Sequence, residues 1–370
     1  MAIASRDRHW MSKALALARQ GEIGTAPNPR VGCILVQNER ILAEGHHAAI
    51  GGAHAEVHAL DAAQAAGQDV GRATAYVTLE PCSHHGRTPP CASRLIASGI
   101  QRVVVGMVDP DPRVSGQGIR LLEAAGIAVD VLTEWPEGRW INRRFLSSIQ
   151  RNRPWIVLKC AMSADGFADP PRAAGQTGSL ALTQPELKRL THRWRAEEGA
   201  ILVGAGTLST DNPRLDVRAF AGPCPIPVVL DPQGRTSAQA AVYDVHDAVW
   251  ILGGPKAPHP KAKVIPAKPS LALHSVLEAL HQSGVRSVLV EGGPETLRRF
   301  MQANLWDEYR ICQSPISVNG GLKAPPTPMS ALLRGSHPFG VDRVDYYLNP
   351  DSADWIGSAP SPTLSLDLPS

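Results

Sequence analysis

The chain has 370 residues, of which 43% are hydrophobic and 19% charged, and this length predicts two domains of ordinary size. The formal net charge is +3 and no block of like charges occurs, so we expect a small substrate and no nucleic acid as partner. There is no signal-peptide pattern and no apolar run of about 18 residues that could span a membrane. The six cysteines are too scattered for a disulfide framework, which predicts a cytoplasmic protein with free thiols.

The first 150 residues predict an α/β domain. An amphipathic helix around residues 10–18 comes first, and two short strands at 31–37 and 40–44 then form a hairpin around the Asn38-Glu39 turn. Helices and strands alternate after that, with helices at 54–66, 91–98 and 115–125 and strands at 74–79, 102–108 and 127–132. A hairpin followed by βαβ units predicts a sheet of about five strands with helices on its faces.

A polar run that ends in proline, Arg151-Asn152-Arg153-Pro154, predicts a domain junction. Beyond it a second alternating series predicts strands at 155–161, 199–203, 226–230, 248–252 and 287–290 and helices at 184–196, 275–283 and 294–303. The pattern weakens from Pro325, and the residues after Asn349 are rich in Ser, Pro and Asp. We therefore predict domains at 1–150 and 151–349, with a disordered tail at 350–370.

Three residues with metal-ligating side chains stand near predicted helix starts. His54-Ala55-Glu56 opens one helix, while Pro81-Cys82 follows the next strand and Cys91 begins another helix. This order resembles the zinc deaminase signature, in which one His and two Cys bind the ion and the Glu does not. Zinc with three protein ligands keeps a position for water and lowers the pKa of that water to about 7. We predict His54, Cys82 and Cys91 as zinc ligands and Glu56 as the catalytic proton carrier.

Other interpretations of these residues are open. A fourth ligand from His84, His85 or Cys33 would make a closed structural zinc site and leave Glu56 without a role. A non-enzymatic zinc-stabilised scaffold is a further alternative, and so is a deaminase that acts on nucleic acid. Deaminases of nucleosides and nucleic acids, however, usually have two residues between the cysteines, where this chain has eight. A zinc protease is excluded, because its motif needs Glu directly after the first His.

The strings Asn28-Pro29-Arg30-Val31-Gly32-Cys33, 54–60 and 78–91 closely resemble the bifunctional deaminase/reductase of riboflavin biosynthesis. The resemblance implies a cytidine-deaminase-like three-layer α/β domain followed by a dihydrofolate-reductase-like α/β domain. It implies zinc-dependent deamination of 2,5-diamino-6-(5-phosphoribosylamino)pyrimidin-4-one and then reduction of the ribosyl to the ribityl side chain by NADPH. It further implies that Asn28 and Arg87 contact the substrate, and we expect a homodimer or homotetramer.

The second domain lacks the G-x-G-x-x-G fingerprint of a Rossmann fold, but residues 288–296 combine a strand, a glycine pair and a helix start suited to phosphate. The resemblance extends from Lys159 to about Gly321 through motifs such as Ser163-Ala164-Asp165-Gly166. It implies that the substrate is held by Ser179, Arg195, Leu215, Arg218 and Glu291. It implies that NADPH is faced by Ala161, Thr207, Asp211, Gly293, Pro294, Glu295, Thr296 and Leu297.

This half of the chain also departs from the family pattern. Phe167 follows Asp165-Gly166 where Lys or Arg is usual, Ala181 stands in place of Trp, and Asn212 in place of Asp. The stretch 168–177 is rich in Pro and Ala and longer than expected. These departures leave open a deaminase whose reductase-like domain has weakened or lost activity.

Overall fold

The computed structural model describes residues 5–21, 23–83, 89–112, 114–132, 134–173, 175–178, 181–265 and 273–357. The chain divides into two compact units, Met1–Arg151 and Asn152–Ser370, here called unit 1 and unit 2. The division falls within the polar run that the sequence analysis takes as a junction. Within the described ranges, no helix has both the length and the apolar character needed to cross a membrane.

Unit 1 is built on a five-stranded sheet in the order β2-β1-β3-β4-β5. β1 runs antiparallel to β2 and β3, whereas β3, β4 and β5 are parallel to one another. The strands are β1 Gly32–Gln37, β2 Arg40–His46, β3 Thr74–Val77, β4 Arg102–Val105 and β5 Ala128–Val131. The helices are α1 Ser5–Gln20, α2 Ala55–Ala65, α3 Cys91–Ala97, α4 Gln117–Ala124, α5 Pro136–Ile141 and α6 Arg143–Gln150.

The alternation of side chains along β1 explains the layers of unit 1, because successive strand residues point to opposite faces. Cys33 and Leu35 lie in a buried apolar cluster with residues of α2, α3 and α4. Ile34 and Val36 lie in a second cluster with residues of α1. Helices therefore cover both faces of the sheet, which is the predicted three-layer arrangement.

Gly45 of β2 lets α2 lie directly against the sheet. A Cβ at this position would stand 2.4 Å from the carbonyl oxygen of Ala55 and 2.5 Å from the backbone nitrogen of Ala59. We expect Gly45→Ala to lower the free energy of unfolding by about 1–3 kcal/mol, because the helix must move away from the strand. Gly71→Ala is the control, since its Cβ would meet only the Asp69 carboxylate, 3.2 Å away. Equal stability of the two variants in urea denaturation would contradict this prediction.

Unit 2 is built on a nine-stranded sheet in the order β11-β10-β9-β8-β12-β6-β13-β16-β15. The first seven of these strands are parallel, and β16 and β15 extend the sheet in antiparallel fashion. β7 and β14 form a separate two-stranded sheet. The strands are β6 Trp155–Met162, β7 Phe167–Asp169, β8 Ala200–Gly204, β9 Ile226–Leu230, β10 Val249–Leu252, β11 Ala262–Ile265, β12 Ser287–Val290, β13 Glu308–Gln313, β14 Leu322–Lys323, β15 Leu332–Phe339 and β16 Asp342–Leu348.

The helices of unit 2 pack on both faces of its sheet. They are α7 Pro185–Glu197, α8 Ala205–Asp211, α9 Val242–Val245, α10 Leu273–Gln282, α11 Pro294–Gln302 and α12 Pro350–Ile356. Ala200 and Leu202 of β8 belong to one core cluster, and Ile201 and Val203 to another. β8 and β12 are parallel neighbours. Their carboxyl ends therefore meet at one edge of the sheet, where ligands of open α/β sheets commonly bind.

The predicted disordered tail is wrong for residues 350–356, which form α12. The Asn349 side chain accepts a hydrogen bond from the Asp351 N–H at 2.9 Å, and Pro350 occupies the first helical position. Ser352 is fully buried, and its hydroxyl donates to Asp307 Oδ1 at 2.6 Å. Asn, Pro and Asp are thus helix-start residues here rather than signs of a tail. Residues 358–370 lie outside the described part of the chain.

Candidate metal centre and reductase site

The three predicted zinc ligands come together at two helix starts of unit 1. His54 is the N-cap residue of α2, Cys91 is the first residue of α3, and Cys82 lies in the loop after β3. Their ligand atoms all lie within 4.8 Å of one another. His54 Nδ1 is 3.2 Å from Cys91 Sγ and 3.6 Å from Cys82 Sγ. One imidazole nitrogen and two sulfurs are donors typical of zinc, so these residues fit the ion.

The start of α3 holds the Cys82 sulfur in place. The backbone N–H of Cys91 donates to Cys82 Sγ at 3.3 Å, and the N–H of Ala92 donates to the Cys82 carbonyl at 3.1 Å. The Cys91 thiol also forms a hydrogen bond with the Cys82 sulfur, and this side-chain contact is the main cause that lowers the pKa of the Cys82 thiol to about 4, with further lowering from His54 and from the Cys91 backbone N–H. The same contact between the two thiols raises the pKa of Cys91. The Cys91 thiol, His54 and the backbone N–H of Cys91 together therefore favour a thiolate at Cys82, the form that binds metal.

Glu56 lies in the first turn of α2, next to the cluster of ligands but not part of it. Its side chain is buried, and burial raises the pKa of Glu56 to about 7. A carboxyl group with a pKa near neutrality can both take and return a proton. Among the described residues no fourth His, Cys, Asp or Glu joins the cluster, and Cys33 lies apart from it in β1. His84 and His85 lie outside the described residues.

Glu80 lies just before Cys82 and forms hydrogen bonds with the loop between β4 and α4 and with the start of α4. Its Oε2 accepts hydrogen bonds from the N–H groups of Asp109 at 3.1 Å and Gly116 at 2.9 Å. Its Oε1 accepts from the N–H groups of Gly118 at 2.9 Å and Ile119 at 3.4 Å. Glu80 is buried, so these backbone groups replace water around its carboxylate. Glu80 thereby positions the segment that carries Cys82.

We expect Glu80→Gln to lower the free energy of unfolding by about 1.5–3 kcal/mol, the range for losing hydrogen bonds to a charged group. In the Gln side chain an NH2 group replaces one of the two carboxylate oxygens. This NH2 group would face backbone N–H groups that donate to the carboxylate in the unchanged protein, so donors would meet donors. A colorimetric chelator should also remove zinc from Glu80→Gln faster than from the unchanged protein. Glu44→Gln, an exposed site on β2, is the control. Unchanged stability and unchanged zinc release in Glu80→Gln would contradict this role.

Of the residues predicted to contact the deaminase substrate, the structure describes only Asn28. Asn28 is exposed in the loop between α1 and β1, and its N–H donates to the Thr25 carbonyl at 2.7 Å. The same loop is joined to the segment before His54, because Ile50 N–H donates to the Gly24 carbonyl at 2.9 Å. Arg87 lies outside the described residues, as does Ser179 of the predicted reductase site.

Two residues of the predicted reductase site form a largely buried ion pair in unit 2. Arg195 of α7 donates to Glu291, just after β12, through Nε at 2.9 Å and Nη2 at 2.8 Å. The side chains are 13% and 10% exposed. Burial acts to raise the pKa of Glu291, but the charge and hydrogen bonds of Arg195 prevail and lower it to about 2. Glu291 is therefore a fixed carboxylate at the sheet edge where β8 and β12 end.

The starts of α8 and α11 approach each other closely at the same sheet edge. Gly293, the N-cap residue of α11, donates its N–H to Thr207 Oγ1 at 2.8 Å. A Cβ at Gly204 would stand 2.8 Å from Thr296 Oγ1, so the glycine is needed for this approach. The N–H groups in the first turn of a helix have no hydrogen-bond acceptor within that helix, so a helix start favours the binding of phosphate. The residues here fit a dinucleotide phosphate such as that of NADPH.

The remaining predicted NADPH contacts differ in exposure. Ala161 is half-buried near the end of β6, and Asp211 ends α8, where its side chain accepts a hydrogen bond from Arg172. Leu297 is only 1% exposed and belongs to the hydrophobic core. Pro294 and Glu295 form the first turn of α11. A bound cofactor could therefore meet the backbone at Leu297 but not its side chain.

Leu215 and Arg218, the other predicted substrate contacts, lie on the segment after α8. Leu215 has a left-handed backbone with φ of 55°, and its side chain is 1% exposed. Arg218 donates its backbone N–H to His192 Nδ1 at 3.2 Å, and its guanidinium pairs with Asp216. The Arg195 guanidinium donates to the Asp216 carbonyl at 3.0 Å. Asp216 thus joins the two predicted arginines.

Glu80, Asp216 and Arg172 are functional candidates that the sequence analysis missed. Each has at least one partner that only the fold brings near: Gly118 for Glu80, Arg195 for Asp216 and Asp211 for Arg172. A signal existed for Arg172, because the lengthened segment after β7 contains a single cation and lies where the family pattern is broken.

Comparison with known proteins assigns both units to families. Residues 4–107 match the cytidine and deoxycytidylate deaminase zinc-binding region, and residues 154–333 match the RibD C-terminal domain. The riboflavin biosynthesis protein RibD of Aquifex aeolicus is 37% identical over 325 residues, which cover 85% of this chain and 89% of that protein. RibD of Escherichia coli is 37% identical over 330 residues, 84% of this chain and 88% of that protein.

Solved structures agree with these matches. A deaminase/reductase from Thermotoga maritima, described as diaminohydroxyphosphoribosylaminopyrimidine deaminase and 5-amino-6-(5-phosphoribosylamino)uracil reductase, superposes with a TM-score of 0.83 at 31% identity. Acinetobacter baumannii RibD superposes with a TM-score of 0.82 at 31% identity. Both comparisons cover 93% of this chain and 98% of the other. The chain therefore belongs to the RibD family of riboflavin biosynthesis enzymes, which join a zinc-binding deaminase domain to a reductase domain that uses NADPH.

Proposed function

We propose that unit 1 deaminates 2,5-diamino-6-(5-phosphoribosylamino)pyrimidin-4-one and that unit 2 reduces the ribosyl chain of the product to ribityl with NADPH. The observation that carries the proposal is the convergence of His54, Cys82 and Cys91 next to the buried carboxyl group of Glu56. The Thermotoga maritima relative is described by the same pair of activities. This substrate is small and carries one phosphate, in keeping with the weak net charge of +3.

In unit 1 the proton transfers fall to Glu56. Zinc, when bound, activates water for attack on the ring carbon that bears the amine. Glu56 accepts one proton of the attacking water and delivers it to the ring nitrogen. It then carries the second proton of that water to the amine, and the C–N bond breaks to release ammonia as the ring carbon becomes a carbonyl. Its burial excludes bulk water from this exchange, and its place outside the ligand cluster keeps the carboxyl group from serving as a metal ligand. Asn28 and Arg87 hold the pyrimidine and its ribosyl phosphate.

In unit 2 the substrate lies at the sheet edge where β8 and β12 end. NADPH, when bound, supplies the hydride that reduces the ribosyl chain. Ser179, Leu215 and the Arg195–Glu291 pair position that chain, and Arg218, whose side chain is 47% exposed, offers charge to the phosphate. The cofactor is held by Ala161, Thr207, Asp211, Gly293, Pro294, Glu295, Thr296 and Leu297.

The chemistry of the zinc ligands also indicates the compartment in which we expect the enzyme. Zinc ligation needs Cys82 and Cys91 reduced, and a reducing cytoplasm keeps them so. A small-molecule enzyme needs no nucleic acid, and assembly as a homodimer or homotetramer remains our expectation for this chain.

Purified protein incubated with the diaminopyrimidine substrate tests both steps. We expect ammonia release without NADPH, and NADPH oxidation, followed by the loss of NADPH absorbance, only once deaminated product is present. Ammonia release without any NADPH oxidation would show that only the deaminase is active, and this result would contradict the two-step function. Tight, salt-sensitive binding of single-stranded DNA or RNA, with no turnover of the pyrimidine, would favour a nucleic-acid deaminase instead.

A further inference from the structure

The segment 214–218, which carries two of the predicted substrate contacts, is hydrogen-bonded to α7 at two points. The Arg195 guanidinium donates to the Asp216 carbonyl at 3.0 Å. His192, three residues earlier on the same helix, accepts the backbone N–H of Arg218 at its Nδ1 atom, 3.2 Å away. Residues three apart on a helix are neighbours on one face. One face of α7 therefore fixes the backbone of this segment.

His192 is a buried histidine whose tautomer follows from its partner. A backbone N–H can only donate, so Nδ1 of His192 accepts and the ring proton lies on Nε2. The residue is 2% exposed. Burial, followed by the positive charges of Arg195 and Arg218, lowers the pKa of His192 to about 4. The ring is therefore neutral near neutral pH and keeps the acceptor that the Arg218 N–H needs.

The segment 214–218 also carries an excess of positive charge on its exposed side. The Asp216 carboxylate accepts a hydrogen bond from Arg214 Nε at 3.0 Å and pairs with the Arg218 guanidinium. Asp216 is buried, whereas the side chains of Arg214 and Arg218 are 52% and 47% exposed. Two guanidinium groups thus share one carboxylate, and the remaining positive charge faces solvent. Such groups are well suited to bind a phosphate.

We propose that His192 is a positioning residue that sets how tightly the reductase site binds a phosphorylated substrate. Its Nδ1 atom fixes the backbone at Arg218, and Asp216 then holds the Arg218 guanidinium beside that of Arg214. Because these groups are already ordered, less conformational freedom is lost when they bind a phosphate. The proposal rests on the proposed reductase function of unit 2 and adds to it a residue that acts through Arg218.

The test compares full-length His192→Phe and His192→Asn with the unchanged protein on two compounds. These are the deaminated pyrimidine with its ribosyl phosphate and the same compound without the phosphate. Phenylalanine keeps a ring but has no acceptor, whereas the Asn carbonyl oxygen is bonded to Cγ as Nδ1 is and can accept the same N–H.

We expect His192→Phe to raise the KM for the phosphorylated compound about 10-fold, the effect of weakening one hydrogen bond to a charged group. The kcat should change little, because a phosphate contact holds substrate and transition state alike. The KM for the compound without phosphate should stay the same. His192→Asn should restore most of the affinity that His192→Phe loses.

Binding measurements make the test independent of turnover. In calorimetry the Kd of the phosphorylated compound should rise in His192→Phe in step with its KM, while an unchanged Kd for NADPH shows that unit 2 is folded. His274→Phe makes the same substitution at an exposed position of α10 and is the control. His192→Gln is a second variant without an acceptor bonded to Cγ, and it should behave like His192→Phe.

Equal losses on the two compounds would overturn the proposal, because a histidine with a merely structural role affects both. Unchanged affinity for the phosphorylated compound in His192→Phe or His192→Gln would also overturn it. So would a folded His192→Asn that is as impaired as His192→Phe. A wild-type chain that binds the phosphorylated compound but never oxidises NADPH would contradict the proposed reduction alone, since calorimetry on the variants still decides the role of His192.

Discussion

Glu56→Gln is expected to lower the kcat of deamination by about 100- to 10,000-fold, the usual contribution of a general acid–base group. The amide has the shape of the carboxyl group but cannot take a proton from water and return it to the substrate. Because Glu56 lies outside the cluster of ligand atoms, zinc should stay bound. Ammonia release and zinc content, measured on the same preparation, check both halves of this expectation.

The control is Glu123→Gln, the same substitution on the exposed face of α4, which should leave kcat unchanged. Reductase turnover supplied with deaminated product should also survive Glu56→Gln, since that reaction belongs to unit 2. Deamination at the wild-type rate with zinc bound would show that another group moves the proton. Loss of zinc together with activity would show that Glu56 supports the metal.

Arg195→Met should lower the free energy of unfolding by about 3–5 kcal/mol and abolish reduction while deamination continues. Methionine preserves much of the apolar stem but leaves the Glu291 carboxylate buried without its cation. Arg195 lowers the pKa of Glu291 from 4.5 to about 2. The stabilisation from the ionised pair is therefore complete above the unfolded pKa and is lost as pH falls towards 2. Urea denaturation near neutral pH should show the full difference.

Lys188→Met, on the exposed face of the same helix, is the control and should change stability little. The double variant Arg195→Met/Glu291→Met tests the pair itself. It should be more stable than Arg195→Met alone, because no charge is then left buried without a partner. A double variant that loses the sum of both single effects would mean that the two residues stabilise unit 2 independently.

The zinc site could be predicted from the sequence because its parts are local. His54 and Glu56 are two residues apart at a helix start, and Cys82 and Cys91 flank one short loop. Such spacing limits where each side chain can point, and the ligand chemistry then restricts the metal. The five-stranded sheet of unit 1 was predictable for a similar reason, since its strands β1, β3 and β4 contain short apolar runs bounded by turn residues.

The strands after Pro325 were not predictable in the same way. β15 has mostly exposed or half-buried residues, including Leu332 and Leu333, because it is the edge strand of the sheet. Its only pairing is with β16, which in turn pairs with β13 on its other side. α12 depends on Asn349 and on Asp307, which lies 45 positions before Ser352. These elements are selected by partners distant in sequence.

The sequence by itself was enough to predict the cluster of His54, Cys82 and Cys91 and the two-unit order of this protein, and to propose Glu56 as the proton carrier, because these rest on neighbouring residues and on the ordinary chemistry of His, Cys and Glu. The tertiary structure alone decided which charges meet: Arg195 with Glu291, 96 positions away, and Arg172 with Asp211, 39 positions away. The physical reason is that strand order in the sheet brings these positions together. No pattern among neighbouring residues of the sequence indicates that strand order.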